Sequence, residues 1–129
     1  MVQTSRKSGN VSYKYLTGLF DGEGSVTYSN KPVLRKGKKK AYPIWNIRLE
    51  VSMTHEETIR MIHQMFNRGF VVTRRPIKSW FGKKTQWRWR CSHRDALHCA
   101  KRMLPYSITK KEKLESIVKH YEVKDSRSI

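Results

Sequence analysis

The nine residues LTGLFDGEG (16–24) decide how the rest of the chain is interpreted. Apolar residues repeat in this segment at helical spacing, and Gly22 and Gly24 predict that the helix stops there. Asp21 and Glu23 are the only carboxylates among the first 49 residues, which carry ten Lys and Arg. Two acids in a glycine-rich backbone indicate contact with cations or a metal, whereas an ordinary helix end followed by a turn is the alternative.

Composition predicts one folded domain that binds a polyanion. The 129 residues carry 28 Lys and Arg against 10 acids, a formal charge of +18, and 11% of them are aromatic. Disordered basic tails lack aromatic residues, so we expect a core inside a positive surface. We predict a single domain over residues 1–129, with its core at about 13–121, a basic N-terminal arm and a short frayed tail from Val123. Nucleic acid is the favoured partner.

Membrane and zinc readings of the sequence are weak. No stretch reaches the eighteen apolar residues that span a bilayer, and the first ten residues are too polar for a secretory signal. We therefore expect no membrane partner and an intracellular, reducing location, either the cytoplasm or nucleoid or an organelle such as a mitochondrion or chloroplast. Cys91 and Cys99 are expected to be buried thiols, because neither they nor His93 and His98 have the spacing of zinc ligands.

Periodicity predicts a helix, two strands, a helix, two strands and two final helices. Residues 45–53 alternate apolar and polar, which is typical of a strand with one buried face. In residues 86–92, Trp87, Trp89 and Cys91 are predicted to face the core, away from the polar residues between them. Thr54 with Glu57 predicts a capping box for the second helix, and Thr109 with Glu112 predicts the start of the fourth.

Residues 16–24, Leu-Thr-Gly-Leu-Phe-Asp-Gly-Glu-Gly, resemble the LAGLIDADG motif of homing endonucleases, with about seven of the nine positions identical or conservative. The predicted order of elements is similar to the αββαββα fold of that family. The resemblance implies an α+β class with a curved antiparallel sheet, helices on one face and here an extra C-terminal helix. It extends over about residues 13–121.

The resemblance also implies a homodimer and a metal-dependent active site. Members with one motif per chain pair their motif helices, which implies a dimer interface of Leu16, Gly18, Leu19, Asp21 and Gly22. Glu23 stands where the family has a catalytic carboxylate that binds Mg²⁺, with Mn²⁺ able to substitute, and Gly22 adds its carbonyl. Asp21 is predicted to cap backbone at the dimer seam. Lys110 aligns with the family's active-site lysine.

The two lysines near the start of the fourth helix have an independent indication of function. The helix dipole disfavours cations in a first turn, so Lys110 and Lys111 are expected to have another role there. Ordinary basic excess is the alternative.

The predicted DNA interface combines polar strand faces with basic loops. Arg, Gln, Asn and Glu side chains can contact base edges in the major groove, and lysines in loops can contact phosphates. An ordinary solvated sheet face is the alternative. The residues assigned to DNA are Ser25, Thr27, Lys31, Arg35, Lys38, Lys39, Lys40, Asn46, Arg48, Glu50, Arg74, Arg75, Lys83, Lys84, Gln86, Arg88, Arg90 and Lys111.

The leading hypothesis is a homodimeric, Mg²⁺-dependent, intron-encoded type of endonuclease that cuts a long, roughly palindromic double-stranded DNA site. The sequence departs from the family's pattern at one position, and this departure favours an alternative function. Met53 occupies a strand end where relatives tend to carry a polar residue that orders water. A non-cleaving binder of the same fold, either a maturase bound to intron RNA or a transcription regulator, is that alternative. A ribosomal-type RNA-binding protein would fit size and charge but gives no reason for residues 16–24.

Overall fold

A computed structural model of the chain describes residues 11–34, 36, 37, 39, 41–74 and 84–127. Within these ranges the helices and strands follow the predicted order, which confirms the α+β class and the αββαββα arrangement with one further helix. The elements are α1 Tyr13–Glu23, β1 Gly24–Leu34, β2 Ala41–Met53, α2 Glu56–Phe66, β3 Phe70–Arg74, β4 Gln86–Ser92, α3 His93–Met103 and α4 Lys111–Arg127.

The strands form one antiparallel sheet in the order β1-β2-β4-β3, and the core lies on one side of it. Alternation sends Ile47, Leu49 and Val51 of β2 and Trp89 and Cys91 of β4 to the same face, where each is at most 1% exposed. All four helices contact the sheet on this side. The predicted apolar face of β4 is therefore confirmed, and the opposite face of the sheet carries the polar side chains.

Helix α1 turns directly into β1 at Gly24. Leu16, Thr17 and Phe20 fix the buried side of the helix. A Cβ atom at Gly24 would lie 2.4 Å from Cδ1 of Phe20, so the corner between helix and strand requires glycine. This corner sets the position of Glu23, the last residue of α1.

Two local predictions are wrong. The N-cap of α2 is His55 and not Thr54, because β2 runs through Met53 and the helix begins at Glu56, one residue later than predicted. The His55 Nδ1 accepts the Thr58 N–H at 3.3 Å. The residues from Val123 to Arg127 are not a frayed tail: they continue α4, where Asp125 accepts two hydrogen bonds from Arg94. No helix in the described ranges has the length and apolarity that crossing a membrane requires.

The two cysteines are buried thiols, as predicted. Cys91 and Cys99 are at most 1% exposed, and their sulfur atoms lie 3.7 Å apart. The hydrogen bond between them, together with burial, raises the pKa of Cys99 far above its ordinary value. Both therefore act as core side chains.

Candidate functional site

The exposed carboxylate at the end of α1 is Glu23. Among the described residues it forms neither a hydrogen bond nor an ion pair. Unlike Asp21, Glu23 ties no described segments of the chain together. A carboxylate that is presented to solvent at a helix end is available to a cation or a second molecule.

Asp21 is occupied within its own chain. Its carboxylate accepts the hydroxyl of Ser107 at 2.7 Å and the backbone N–H groups of Ile108 and Thr109 at 2.7 and 3.3 Å. These groups precede α4, so Asp21 ties the start of α4 to the end of α1. The prediction that Asp21 caps backbone is confirmed, because its carboxylate accepts the N–H groups of Ile108 and Thr109. Its place at a dimer seam stays a prediction.

The pKa of Asp21 reflects these contacts. Burial alone would raise the pKa of this carboxyl, but the N–H of Ile108, the hydroxyl of Ser107 and the N–H of Thr109 favour the ionised form and hold the pKa below 3.8. Asp21 is consequently ionised at neutral pH and cannot act there as a proton donor.

Lys110 lies at the same end of α1. Its Nζ donates to the backbone carbonyl of Asp21 at 2.9 Å, and its side chain is half-buried. A cation is favoured at a helix C-terminus, where carbonyl groups lack helical partners. The chain thus brings one cation and one free carboxylate, Lys110 and Glu23, to the end of one helix. Lys111 is exposed at the first residue of α4.

The outer face of α1 has no neighbour in the described part of the chain. A Cβ atom placed on Gly18 or Gly22 would meet no atom within 4 Å. Tyr15 is 58% exposed on the same face, and Leu19 is half-buried beside it. The assignment of Leu16 to a dimer interface is wrong, because Leu16 is 1% exposed and packs into the chain's own core. Sequence analysis missed Tyr15, although it precedes Gly18, Leu19 and Gly22 at three-, four- and seven-residue spacing.

The polar face of the sheet is built by register. Ser25, Thr27 and Ser29 of β1 lie opposite Glu50, Arg48 and Asn46 of β2, so these six side chains share the face away from the core. Across β4, Glu50 lies opposite Arg90 and Ser52 opposite Arg88, and Gln86 lies opposite Arg74 of β3. The structure therefore brings the predicted strand residues together on one surface, which we call the polar sheet face.

An ion-pair cluster lies at the centre of this face. Glu50 accepts a 2.8 Å hydrogen bond from Arg90 Nη2 and forms a 3.1 Å ion pair with Arg88 Nε. The Nε of Arg48, in contrast, is buried and has no hydrogen-bond partner among the described residues. The carboxylate holds two guanidinium groups whose side chains are 31% and 29% exposed, so N–H donors that Glu50 does not use remain available on this face.

Two apolar residues on the polar sheet face were not predicted as site residues. Phe70 and Val72 of β3 lie opposite Arg90 and Arg88 and are 48% and 38% exposed. Their place on alternate positions of β3 was the available signal, because alternate residues of a strand share a face. Large apolar side chains beside arginines suit the 5-methyl group of thymine.

The basic loops are described only in part. Lys31 is exposed on the same face of the sheet as Ser29, and Lys39 and Lys84 are exposed in the segments that precede β2 and β4. The assignments to Arg35, Lys38, Lys40, Arg75 and Lys83 lie outside the described residues.

One chain offers few metal-binding groups near the end of α1. In the ranges that the structure describes, no three His, Cys, Asp or Glu residues are grouped to hold an ion. Glu23 offers a carboxylate, and Gly22 beside it offers a backbone carbonyl. Both are oxygen donors, which hard divalent cations such as Mg²⁺ prefer, but six ligands require other molecules to contribute.

Comparison with known proteins identifies the fold. No family model and no curated protein sequence matches the chain. Solved structures do match: homing endonuclease I-CvuI in complex with its target has 15% identity and a TM-score of 0.61, and covers 83% of this chain. The chain has the LAGLIDADG homing endonuclease fold.

Two further structures agree. The LAGLIDADG homing endonuclease I-GzeII in complex with a DNA target has 16% identity and a TM-score of 0.66, and covers 92% of this chain. The group I intron-encoded homing endonuclease I-CeuI complexed with DNA has 16% identity and a TM-score of 0.61, and covers 98% of it. This chain spans 63%, 38% and 59% of the lengths of I-CvuI, I-GzeII and I-CeuI. The fold expected from residues 16–24 is thereby confirmed.

Proposed function

We propose that the protein is a homodimeric, divalent-metal-dependent endonuclease that cuts both strands of a long, roughly palindromic DNA duplex. The observation that carries the proposal is the outer face of α1, which no described residue covers and which ends at the exposed carboxylate of Glu23. The fold supports it, because the solved structures with this fold include homing endonucleases in complex with DNA.

Glycine on the outer face of α1 argues for a second copy of the chain. Glycine inside a helix costs about 0.5–1 kcal/mol relative to alanine. No described neighbour within the chain requires its small size at Gly18 or Gly22, since a Cβ atom there would meet open space. Close approach of an identical helix gives a reason for both glycines, and a two-fold axis along α1 would bring two copies of Glu23 near each other.

The oxygen donors at the end of α1 fit a divalent metal ion if two chains pair there. The Glu23 carboxylate and the Gly22 carbonyl would hold it, with DNA phosphates and water as further oxygen ligands. Mg²⁺ or Mn²⁺ would polarise the phosphate and lower the pKa of bound water. Two structures of I-CvuI bound to DNA support the use of a divalent cation: one was obtained in the presence of 2 mM Ca, and the other in the presence of 2 mM Mg with the DNA not cleaved.

The chain's own residues would supply binding and positioning. The polar sheet face would lie in the major groove, where Arg48, Arg88 and Arg90 could contact guanine and Asn46 and Gln86 could contact adenine. Exposed lysines at the sheet ends, such as Lys39 and Lys84, would contact phosphates. Lys110, held by the Asp21 carbonyl, would place a cation beside the phosphate to be cut.

Met53 cannot order water at the end of β2, because its thioether side chain is apolar. Its side chain packs against the core, whereas Ser52 and Thr54 on either side of it are exposed. We propose that Ser52 or Thr54 supplies the polar group at this strand end. Ser52, opposite Arg88 on the polar sheet face, is the better placed of the two.

A binder that does not cut is the second candidate. It is favoured by Met53, whose side chain packs against the core at the strand end where the family resemblance implies a polar residue that orders water. Such a protein would keep the polar sheet face and lose only the reaction.

Cleavage of a randomised duplex library separates the candidates. We expect the wild type to release a subset of sequences cut in both strands with Mg²⁺ or Mn²⁺ and none with EDTA. Glu23→Gln should bind the selected duplex equally well and cut at least about 100-fold more slowly, as loss of a catalytic electrostatic group typically causes. Glu112→Gln, which removes an exposed acid on α4, is the matched control. Binding with no cutting in either metal would support the second candidate.

A further inference from the structure

A cavity lies on the side of the sheet opposite the polar sheet face. It has a volume of 620 Å³ and is bounded by the C-terminal half of α4 and by the parts of β1 and β2 remote from Glu23. The residues around it are Tyr28, Trp45, Ser116, Lys119, His120, Val123, Lys124 and Arg127. Tyr28 lies opposite the buried Ile47, and Trp45 lies two residues from it, so both rings are on the core side of the sheet.

Three half-buried rings form one wall of the cavity. The rings of Tyr28 and Trp45 stack at 5.0 Å, and His120 meets Trp45 edge-on at 4.7 Å. The Tyr28 hydroxyl and His120 Nδ1 are 3.3 Å apart, which fixes the histidine ring. Burial, and then the charge of Lys124, lowers the pKa of His120, so the wall is uncharged at neutral pH. A fixed, neutral aromatic wall offers a flat ring face to another flat ring.

Cations line the rim of the cavity. Lys119, Lys124 and Arg127 are among the described residues that bound it, and none of those described residues is Asp or Glu. The acids of α4 lie elsewhere on the helix, at Glu112, Glu115, Glu122 and Asp125. A helix C-terminus favours cations, but that effect does not determine which side of the helix they occupy. Lys119 to Arg127 spans about 12 Å along the helix at 1.5 Å per residue, enough for several phosphates of one strand.

We infer that this cavity binds an unpaired base of a single-stranded nucleic acid, with the base on the ring of Trp45 and the backbone phosphates along Lys119 and Arg127. Aromatic stacking selects a flat base of any sequence, and the cationic rim selects an anionic strand over an apolar ligand. A duplex has no unpaired base to offer, so the site is distinct in both ligand and location from the polar sheet face. Such a site would bind a single strand whether or not the protein cuts DNA.

Competition binding tests the inference on the full chain. Fluorescein-labelled oligouridylate or oligodeoxyuridylate of about ten nucleotides is titrated in the presence of excess unlabelled duplex that occupies the polar sheet face. The two oligonucleotides carry the same base and differ only in the sugar, so they show whether the 2′-hydroxyl matters. Inorganic polyphosphate serves as an anion without bases. Trp45→Leu removes the aromatic surface, and Trp87→Leu is the matched control for loss of a half-buried Trp outside the cavity.

Trp45→Leu should weaken binding of at least one oligonucleotide by about 5- to 150-fold, the range for loss of one base stack. Trp87→Leu should weaken it less than twofold, polyphosphate should compete poorly, and duplex binding should be unchanged in both variants. Unchanged affinity of Trp45→Leu, or equal loss of duplex binding, would overturn the inference. If Trp45→Leu does not fold, the exposed pair Lys119→Gln/Arg127→Gln is compared with Lys101→Gln/Lys113→Gln, and equal affinities would overturn it.

Discussion

At the scale of single residues, the two acids of residues 16–24 differ in their contacts. The carboxylate of Asp21 accepts three hydrogen bonds from residues 107–109, whereas Glu23 is exposed and has no partner among the described residues. Asp21 therefore stabilises the fold, and the carboxylate of Glu23 is available to bind a cation. Sequence analysis could identify the pair but not this division of roles, because Asp21 finds its donors 86–88 positions later in the chain.

Asp21→Asn should lower the free energy of unfolding by about 1–2 kcal/mol at pH 7, because an amide cannot accept all three hydrogen bonds. The folded pKa of Asp21 lies below its ordinary value of 3.8. Its contribution to stability is therefore complete above about pH 4 to 5 and is lost as the pH falls through the folded pKa. Denaturant unfolding of both proteins from pH 7 to pH 2 checks this. A difference that persists undiminished at pH 2 would contradict it.

Glu50→Gln should weaken base discrimination more than stability. Glu50 holds Arg88 and Arg90 in place, but these partly exposed ion pairs contribute only about 0–1 kcal/mol to stability. Each properly oriented arginine provides about 1–3 kcal/mol of discrimination against a wrong base. Binding to a panel of single-base variants of the selected duplex measures the loss. Glu56→Gln, which breaks an exposed pair with Arg60 on α2, is the control and should leave discrimination intact.

At the scale of elements, alternation and helical spacing were enough to predict the order of the helices and strands and the buried face of β4. They failed at element ends. The cap of α2 shifted to His55 because sheet pairing extends β2 through Met53, and α4 continued to Arg127. Leu16 was assigned outward although its packing in the core of this chain turns it inward. Contacts between distant segments decide such features, and a local pattern does not contain them.

Substitutions of two glycines test the account of helix α1: Gly18 lies inside the helix, and Gly24 lies at its C-terminal end. Gly18→Ala should stabilise the monomeric chain by about 0.5–1 kcal/mol, because alanine is the better helix former and its Cβ meets open space. Gly24→Ala should destabilise it, because its Cβ would lie 2.4 Å from the ring of Phe20. Thermal unfolding at a dilution where the wild type is monomeric provides the comparison. Destabilisation by both substitutions alike would contradict the account of α1.

At the scale of the whole molecule, the charge of +18 predicts a strong salt dependence of duplex binding. Lys39→Gln should weaken all sequences alike and reduce the slope of log affinity against log salt by about 0.9. Arg88→Ala should instead relax preference at one position per half-site by about 1–3 kcal/mol. Titrations at several salt concentrations with matched and mismatched duplexes distinguish the two effects. Identical, sequence-independent losses would contradict the division between base contacts and phosphate contacts.

The central claim is that two chains pair along the outer face of α1 and so bring two copies of Glu23 together. The most direct test is the mass in solution by sedimentation equilibrium, for the wild type and for Gly18→Leu. The account predicts twice 15.3 kDa for the wild type and 15.3 kDa for the variant. The variant should still fold, because a Cβ atom at Gly18 would meet no atom of the described residues within 4 Å. A wild type that stays at 15.3 kDa with and without duplex DNA, or a variant as dimeric as the wild type, would contradict it.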